Sequence, residues 1–501
     1  MKKTILNSKN LNYFQKFRGP KKVILCHGVF DILHYGHIDH FKQAKTFGDI
    51  LVVSITEDSF VDKGPDRPIF SSLIRAKTIL SLQIVDFVII SNSSNAINIL
   101  NKIRPNIYVK DQEYQKNKNF FLNKFSLERK YLKKINCKLK FTNKIKYSSS
   151  NIANYKFNNF NDQQILFLNN IKEKYSKQYI ESIFSKLKKL TVCVLGDPII
   201  DTYNFSSVKG TASKFPTLAS VHHIKEHYAG GSFAVASMLS SLGISVNLIY
   251  YSDKEKITQF IENKLNKKIN LIKIRKKNFS IPIIERIVNL PRYEKLHQMY
   301  YCKNFLHDKK SLNKFKKEIK NFYKKSDLML IIDFGFNFLN LEITKFLKNF
   351  IFSINVHSNS ITKNFVSNLK YKLAEYSTLN LREYLFDRRL NSEMNLNKII
   401  EYIKKSEQKN NFSVTLGANG SVIKKKNNVI YCPSFFNTVK DTTGSGDAYF
   451  AITSCLNKLD IEPDLIAFLG NIYAGLHANI IGNKSFVDKD ELFKNVEILL
   501  S

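Results

Sequence analysis

Short apolar runs bounded by turn residues alternate along this chain with segments of helical periodicity. The alternation forms two blocks. In the first block, the runs that predict buried strands are residues 21–30, 49–57, 86–91 and 106–111. In the second block, they include residues 191–196, 245–252, 328–335 and 412–417. Strands that alternate with helices predict parallel sheets covered by helices, so both blocks are expected to be α/β domains.

Residues 155–189 separate the two blocks. This segment is polar, rich in lysine and free of glycine, and its periodicity is helical. We therefore predict a first domain over residues 20–154, a helical linker over 155–189 and a second domain over 190–501. Both domains are expected to be doubly wound.

The composition supports folded domains and argues against a dedicated nucleic-acid binder. Of the 501 residues, 44% are hydrophobic and 24% are charged, a balance typical of globular proteins. Lysine and arginine number 78 against 42 acidic residues, which gives a net charge of +36. The lysines are spread along most of the chain, and the dense run at 313–325 has the helical spacing of a solvated face. A basic scaffold that binds RNA is therefore a distant alternative.

The spacing of the cysteines and the length of the apolar runs indicate the cellular compartment of the protein. Six cysteines lie far apart without a C-x-x-C pair, which favours a reducing cytosol over a disulfide scaffold. The first residues lack the apolar core of a signal peptide. No apolar run approaches the ~18 residues of a membrane span. The sequence thus predicts a cytoplasmic protein without a membrane partner.

The first candidate site is the stretch GVFDILHYGH, residues 28–37. It places a strand, a turn and two histidines, His34 and His37, at the start of a helix. Histidines at i and i+3 fall on one helical face, and helix N-terminal amides favour anions. With Gly36 between them, the histidines could donate to a phosphate close to the backbone. Two surface histidines beside a turn are the alternative.

Three further segments follow in the order expected of one enzyme superfamily. Residues 28–37, together with 56–90, 105–114 and 147–154, resemble the nucleotidyltransferases that include cytidylyltransferases and heptose adenylyltransferases. The resemblance implies a Rossmann-like domain that transfers a nucleotide from ATP or CTP to a sugar 1-phosphate. Mg²⁺ would bridge the phosphates, and pyrophosphate would leave. Catalysis would consist of positioning and charge stabilisation.

The same resemblance implies roles for individual residues. His34 and His37 would stabilise the transferring α-phosphoryl group. Lys63 and Arg75 would neutralise the triphosphate or the sugar phosphate, with a plain surface position as the alternative for both. A serine-rich stretch would hold nucleotide phosphates. The rest of the predicted nucleotide site consists of Gly28, Phe30, Lys110, Ser148, Ser149 and Ser150.

The second candidate site is DTTGSGDAYFAITSCL, residues 441–456. Gly444, Ser445 and Gly446 precede Asp447 and an apolar helical run. Successive amides of a glycine-rich turn at a helix start form an anion hole for a phosphoryl group. Asp447 would accept the proton of an attacking hydroxyl. A helix cap is the alternative for this aspartate, but it leaves the glycines unexplained.

This segment resembles the D-T-x-G-A-G-D motif of ribokinase-family (pfkB-type) sugar kinases, with Ser445 in place of alanine. The resemblance implies a ribokinase-like fold that phosphorylates a sugar with ATP and Mg²⁺. Four further motifs agree in order, although Ala234 stands where the family usually has asparagine, which bears on sugar specificity. The implied sugar-binding residues are Asp201, Gly230 and Gly231. The implied ATP contacts are Thr415, Gly417 and Gly420. Asn380 and Glu383 would organise Mg²⁺ indirectly.

The two halves together resemble the bifunctional heptose-7-phosphate kinase/heptose-1-phosphate adenylyltransferases, with the domain order reversed. This resemblance implies activated-sugar synthesis from sugar phosphates and nucleotides, feeding surface polysaccharide or lipopolysaccharide. One alternative keeps the transferase alone active, with the kinase fold as a sugar-binding or dimerising module. A homodimer through the kinase domain is a further expectation. His222, His223 and His227 are expected on a loop beside the sugar site rather than around a metal.

Overall fold

The chain folds as two separate units, Met1–Asn159 and Phe160–Leu500. The computed structural model describes all residues except 1–3, 8–9, 62–67, 94, 112–121, 143–159, 277, 304, 306, 358–367, 372–373, 391–393, 407–410, 437–438 and 501.

A parallel sheet forms the centre of the first unit. Its described strands are β1 (Thr4–Leu6), β2 (Val23–Gly28), β3 (Ile50–Thr56), β4 (Phe87–Ser91), β5 (Ile107–Asp111) and β6 (Lys138–Thr142). They lie in the order β1-β4-β3-β2-β5-β6, and every neighbouring pair is parallel. Strands β2 and β3 are almost entirely apolar and buried, as expected where helices cover both faces.

Helices cover both faces of this sheet. They are α1 (Leu11–Arg18), α2 (Tyr35–Lys45), α3 (Ser72–Leu80), α4 (Ile97–Ile103) and α5 (Leu122–Lys134). Buried residues of α1, α4 and α5 form the core on one face, and those of α2 and α3 form the core on the other. The strand order reverses beside β2, which opens a crevice at the carboxyl ends of β2 and β5, where ligands bind in such folds.

The second unit has a larger central sheet. Its described strands are β7 (Thr191–Gly196), β10 (Ser245–Ser252), β11 (Ile269–Arg275), β14 (Leu328–Asp333), β15 (Ser353–Val356), β16 (Tyr376–Asn380), β17 (Asn411–Thr415), β18 (Ser421–Lys425) and β19 (Asn428–Cys432). The order is β11-β10-β7-β14-β15-β16-β17-β18-β19, parallel as far as β17 and antiparallel beyond it. The carboxyl ends of β14 to β17 therefore meet along one edge.

A smaller, mixed sheet adjoins the first strand of the second unit. In the described residues it consists of β8 (Pro198–Thr211), β9 (Leu218–Gly231), β12 (Ile283–Asn289) and β13 (Glu294–Tyr301). The order is β13-β12-β8-β9, so β9 is an edge strand. In the long β8–β9 hairpin, Asp201 pairs with Tyr228 and Ile199 pairs with Gly230, so Asp201 and Gly230 lie two residues apart in register.

Helices again cover both faces of the large sheet. They are α6 (Asp162–Lys174), α7 (Lys177–Leu187), α8 (Ser232–Ser241), α9 (Lys256–Lys264), α10 (Lys309–Tyr323), α11 (Leu341–Leu347), α12 (Leu381–Asp387), α13 (Leu396–Lys405), α14 (Ser445–Lys458), α15 (Pro463–His477) and α16 (Lys489–Leu499). No helix among the described residues is long and apolar enough to cross a membrane.

The segment predicted as a helical linker contains two helices that pack on the second unit. Helices α6 and α7 lie where the linker is predicted, but their apolar residues, including Ile171 and Phe184, belong to the core of the second unit. Helix α6 starts with a capping box formed by Asn161 and Gln164. The first unit likewise includes β1 and α1, which precede residue 20. Amphipathic helices bury their apolar stripe on the nearest core, which periodicity alone does not locate.

Candidate active sites

The two histidines of the first motif lie together at the start of α2. His34 is the N-cap residue, and its Nδ1 accepts a hydrogen bond of 3.1 Å from the Gly36 amide. The His37 ring stacks on the His34 ring, with centroids 3.9 Å apart. Burial lowers the pKa of His34. The neutral ring can therefore serve as a cap acceptor, and the paired imidazoles share a site with the helix N-terminus.

Phe30 and Gly28 shape the loop beside these histidines. Phe30 adopts φ +49° and packs edge-on against His37, with ring centroids 5.3 Å apart. A Cβ on Gly28 would lie 2.9 Å from the Phe30 ring. Gly28 therefore leaves room for Phe30 to turn back onto His37, and both residues support the predicted nucleotide site from one side.

Lys110 lies at the carboxyl end of β5, next to β2. Its Nζ donates to the His27 carbonyl at 3.3 Å and lies 3.9 Å from Glu128 Oε2. His27 is buried beside it, with Nδ1 3.0 Å from Ser54 Oγ. Burial and the nearby Lys110 charge lower the pKa of His27 to about 3. The charge of Lys110 is thus held in the crevice by protein partners.

Arg75, for which the sequence implies a contact with phosphate, is bound by protein groups in the structure. Its side chain on α3 is buried, with a relative exposure of 2% for the residue. The guanidinium donates to the carbonyl oxygens of Phe70 and Thr56 at 2.8 Å each, and to that of Val29 at 2.5 Å. It also pairs with Asp58 Oδ1 at 2.5 Å. These bonds join the loops after β2 and β3 to α3, and the phosphate contact stays a prediction.

The other predicted members of this site, Lys63, Ser148, Ser149 and Ser150, lie outside the described residues.

In the second unit, the predicted kinase residues surround one cleft of about 510 Å³. The cleft runs along the carboxyl ends of the central strands to the β8–β9 hairpin. Predicted residues that line it are Asp201, Gly231, Asn380, Thr415, Gly417, Gly444, Ser445, Gly446 and Asp447. Gly230, Glu383 and Gly420 do not line the cleft, but each contacts a lining residue: Gly230 contacts Asp201, Glu383 contacts Asn380, and Gly420 contacts Gly417. The structure therefore brings the sugar, phosphate and ATP motifs into one cavity.

The glycine-rich turn begins α14. Gly444 is the N-cap residue with φ +80°, and a Cβ there would lie 2.6 Å from Asn483 Oδ1. A Cβ on Gly446 would meet no atom within 4 Å, so this face of the turn is open. Amides of the first helical turn have no intrahelical acceptor. The turn therefore offers backbone donors to an anion in the cleft, as the motif predicts.

Asp447 lies in the first turn of α14 and is buried at the floor of the cleft. It is not the N-cap residue, because the N-cap is Gly444, which has no side chain to cap the helix. Its Oδ1 accepts hydrogen bonds from His357 Nε2 at 3.0 Å and from Asn355 Nδ2 at 3.2 Å. Burial alone would lower the pKa of His357, but the carboxylates of Asp447, Glu383 and Asp333 together raise it.

Asn380 and Glu383 form a capping box at the start of α12. The Asn380 amide donates to Glu383 Oε2 at 2.8 Å, and the Glu383 amide donates to Asn380 Oδ1 at 2.9 Å. The other carboxylate oxygen, Oε1, lies 3.9 Å from His357 Nδ1. The cap occupies the Asn380 oxygen, so the pair suits water-mediated contact with Mg²⁺ better than direct ligation.

The sugar end of the cleft contains a buried ion pair. Asp201 on β8 pairs with Arg286 Nη1 on β12. A Cβ on Gly230 would lie 2.5 Å from Asp201 Oδ2, and Gly231 adopts φ +55° where a Cβ would meet the Asp197 carbonyl at 2.3 Å. Gly230 therefore lets β9 approach Asp201 closely, and Gly231 lets the chain pass close to the Asp197 carbonyl.

Thr415 and Gly417 lie at the opposite, predicted ATP end, after β17. Gly417 adopts φ +61°. Gly420 has φ +91°, and a Cβ there would lie 2.1 Å from the Cys432 carbonyl. Gly420 therefore allows the strand-to-strand turn that precedes β18, and it supports the loop from below rather than lining the cleft.

Sequence reasoning missed His357, Arg286 and Lys295. Lys295 on β13 binds Asp441 Oδ1 at 2.6 Å, which fixes the segment that leads into the glycine turn. Burial would raise the pKa of Asp441, but bonds from Lys295, Tyr203 and the Thr443 amide lower it to about 2. None of the three lies in a recognisable motif: Arg286 lies within β12, Lys295 lies near the start of β13, and His357 directly follows β15.

The three histidines of the hairpin lie on β9, not on a loop. Each bonds a different residue of β8: His222 bonds Asn204, His223 bonds Ser207 and His227 bonds Thr202. In the part of the chain that the structure describes, no group of three or more histidine, cysteine or acidic side chains could hold a metal ion. These histidines therefore tie the two strands together.

Comparison with known proteins assigns a family to part of each unit. Residues 25–154 match the cytidylyltransferase-like family, and residues 342–459 match the pfkB family of carbohydrate kinases. Both are transferase families, so the chain combines a cytidylyltransferase-like domain with a carbohydrate kinase domain.

Curated relatives match a shorter part of the chain. The bifunctional protein HldE of Campylobacter curvus is 43% identical over 100 residues, which cover 20% of this chain and 21% of that protein. HldE of Helicobacter pylori is 38% identical over 99 residues, 19% and 21% of the two chains. The chain thus spans about a fifth of the length of these relatives.

A solved structure matches over a longer stretch. A putative ribokinase from Agrobacterium tumefaciens has a TM-score of 0.51 and 13% sequence identity, covering 62% of this chain and 97% of that chain. At this identity the likeness concerns the fold. The fold class predicted from the sequence, an N-terminal Rossmann-like domain and a C-terminal ribokinase-like domain, is confirmed.

Proposed function

We propose that this chain is a bifunctional enzyme of activated-sugar synthesis. One unit would phosphorylate a sugar or sugar phosphate with ATP, and the other would transfer a nucleotide from ATP or CTP to a sugar 1-phosphate. The observation that carries the proposal is the cleft of the second unit, in which Asp447, the glycine turn and Asp201 face a common cavity.

In the kinase reaction, Asp447 would accept the proton of the attacking sugar hydroxyl. The hydroxyl oxygen then bonds to the γ-phosphorus of ATP, and the bond from that phosphorus to the β–γ bridging oxygen breaks, releasing ADP. Amides of the turn at Gly444 to Gly446 would stabilise the charge on the transferring phosphoryl group. Asp201 would orient the acceptor through its hydroxyls. Bound Mg²⁺, held through water by Asn380 and Glu383, would neutralise ATP phosphate charge.

Arg286 supports an acceptor that already carries a phosphate. Its guanidinium is buried beside Asp201 and lines the cleft, and a hydrogen bond to Asp201 uses one of its nitrogens. A guanidinium can bind a phosphate with two parallel N–H donors. A heptose phosphate fits this expectation, and the partial similarity to HldE points to the same substrate class.

In the nucleotidyl transfer, a sugar 1-phosphate oxygen would attack the α-phosphorus of the nucleoside triphosphate. The bond to the bridging oxygen on the β side breaks, and pyrophosphate leaves. The stacked His34 and His37 would donate to the α-phosphoryl oxygens, and the amides of α2 would add further donors. Lys110 would contribute positive charge. The products of the two units would be used for surface polysaccharide.

Two further features belong to this proposal. The exposed apolar side chains Leu218, Val221 and Ile224 on the edge strand β9 support a homodimer through the kinase domain. All six cysteines are free, which supports a cytoplasmic location.

Two substitutions test the separation of the activities. Asp447→Asn should abolish ATP-dependent phosphorylation of a panel of hexoses, hexose 6-phosphates and heptose 7-phosphates, and leave pyrophosphate release from sugar 1-phosphate and nucleotide intact. His37→Ala should do the reverse. Asp490→Asn, which removes an exposed carboxylate of α16, is the matched control. Equal loss of both activities in either variant would refute two independent sites.

A further inference from the structure

His357 is the residue that most directly contacts Asp447. It follows β15, and its ring stacks on Phe334 with centroids 4.1 Å apart and an angle of 14° between the planes. Its Nε2 lies 3.0 Å from Asp447 Oδ1. The stack fixes the plane of the imidazole, and the hydrogen bond fixes the distance of the ring from the carboxylate.

The other ring nitrogen faces a second carboxylate. Nδ1 lies 3.9 Å from Glu383 Oε1, and the opposite oxygen of Glu383 is held by the Asn380 amide in the capping box. His357 is therefore held on two sides by groups that are themselves fixed to the start of α12 and to β14. An oriented side chain of this kind can transmit its position to the group that it contacts.

Both donors to Asp447 reach the same oxygen. His357 Nε2 and Asn355 Nδ2 bond Oδ1, and no hydrogen bond between the described residues reaches Oδ2. A carboxylate tied at one oxygen presents the other in a fixed direction, and Asp447 lines the cleft. A general base works only within hydrogen-bond reach and in the correct orientation.

We propose that His357 is a positioning residue, which holds Asp447 so that Oδ2 points at the acceptor hydroxyl. This inference rests on the proposed kinase function. Asn355 shares the task, because its Nδ2 lies 3.2 Å from Asp447 Oδ1 and 2.8 Å from His357 Nε2. The sequence itself offers no motif for this role, because the residue follows a short buried strand.

The test compares two substitutions in the full chain. His357→Phe keeps the stack on Phe334 and removes the donor, whereas His357→Gln keeps an N–H donor without the ring. We expect His357→Phe to lower kcat for sugar phosphorylation by roughly 10- to 100-fold, as a misplacement of about 1 Å does. KM for ATP and for the sugar should change little, and His357→Gln should restore most of kcat. Pyrophosphate release should remain at the wild-type rate in both variants.

A double-mutant cycle provides the second measurement. In an Asp447→Glu background, which displaces the carboxylate but leaves phosphorylation measurable, His357→Phe should add little further loss, because a positioning residue acts through the group that it positions. Three results would overturn the inference. They are losses that multiply in the double variant, a kcat near the wild-type value in His357→Phe, and a His357→Gln variant as impaired as His357→Phe. If the wild-type chain phosphorylates no sugar of the panel, the proposed function fails as well. If Asp447→Ala is inactive while His357→Phe is fully active, the inference alone fails.

Discussion

Replacing Arg75 by lysine distinguishes its predicted contact with phosphate from the structural contacts that it makes. Lysine keeps the positive charge but has one nitrogen, whereas the guanidinium serves three backbone carbonyls and Asp58. A buried acceptor left without a donor costs about 1–3 kcal/mol, and the Thr56 carbonyl bond is fully buried. Because the single lysine nitrogen can replace only some of the guanidinium donors, we expect the unfolding free energy of the first unit to fall by about 3 kcal/mol.

The expected effect can be measured as a shift of one thermal transition. For a unit of this size, about 1 kcal/mol corresponds to roughly 2–4 °C, so Arg75→Lys should lower its transition by about 6–12 °C. Calorimetry of the full chain measures the shift, and added nucleotide identifies the transition of the first unit by stabilising it. Lys77→Arg, at an exposed position of α3, is the control and should change little. An unshifted transition with pyrophosphate release abolished would refute the structural reasoning and assign Arg75 to the phosphates.

Three other predictions concern different parts of the molecule. The pKa of His27 is lowered to about 3, so the unfolded chain binds a proton that the folded chain does not. The first unit should lose stability as pH falls from about 6.5 towards 3, and this loss should be smaller in His27→Gln. Thermal transitions measured over a pH series test this, and the same dependence of the transition temperature on pH in both proteins would contradict it. Asn380→Ser should keep the helix cap and the stability of the protein, and it should raise the Mg²⁺ concentration needed for phosphorylation. Asn380→Ala should in addition lose about 1 kcal/mol of stability in denaturant unfolding. Equal Mg²⁺ dependence in Asn380→Ser and wild type would argue against the metal role. Ile224→Lys should convert a dimer into a monomer in sedimentation analysis, while the exposed control Asn428→Lys should not; a dimer that persists in Ile224→Lys would exclude this face.

The sequence predicts the chemistry within each motif better than it predicts which distant residues contact that motif. The glycine turn and Asp447 are neighbours along the chain, so their spacing alone predicts that they share a helix start. Arg75, in contrast, contacts loops that follow two other strands, and no local pattern reports those contacts. The resemblance to nucleotidyltransferases implies a phosphate contact for Arg75. The residue lies on the buried face of its helix, which directs the guanidinium inward.

The residues that were missed share a physical reason. His357 reaches the cleft because it follows the carboxyl end of β15, and Arg286 reaches it because β12 pairs with β8 beside Asp201. Such strand order is set by long-range pairing that periodicity does not encode. Helices α6 and α7 show the same limit. Their periodicity is visible in the sequence, but part of the core that receives their apolar stripe comes from helices far along the chain, α15 and α16.

The short strand β1 has a practical consequence for anyone who expresses the two halves separately. A fragment that begins at residue 20 would remove β1 and α1, so β4 would become an unpaired edge and the ring of Phe87 would lose its neighbour Phe14. Exposed apolar edge strands recruit other chains and aggregate. A fragment that begins at residue 190 would uncover apolar core in the same way, by losing α6 and α7. Soluble halves are therefore expected from cuts near residue 160, and from transferase fragments that retain Thr4–Leu6.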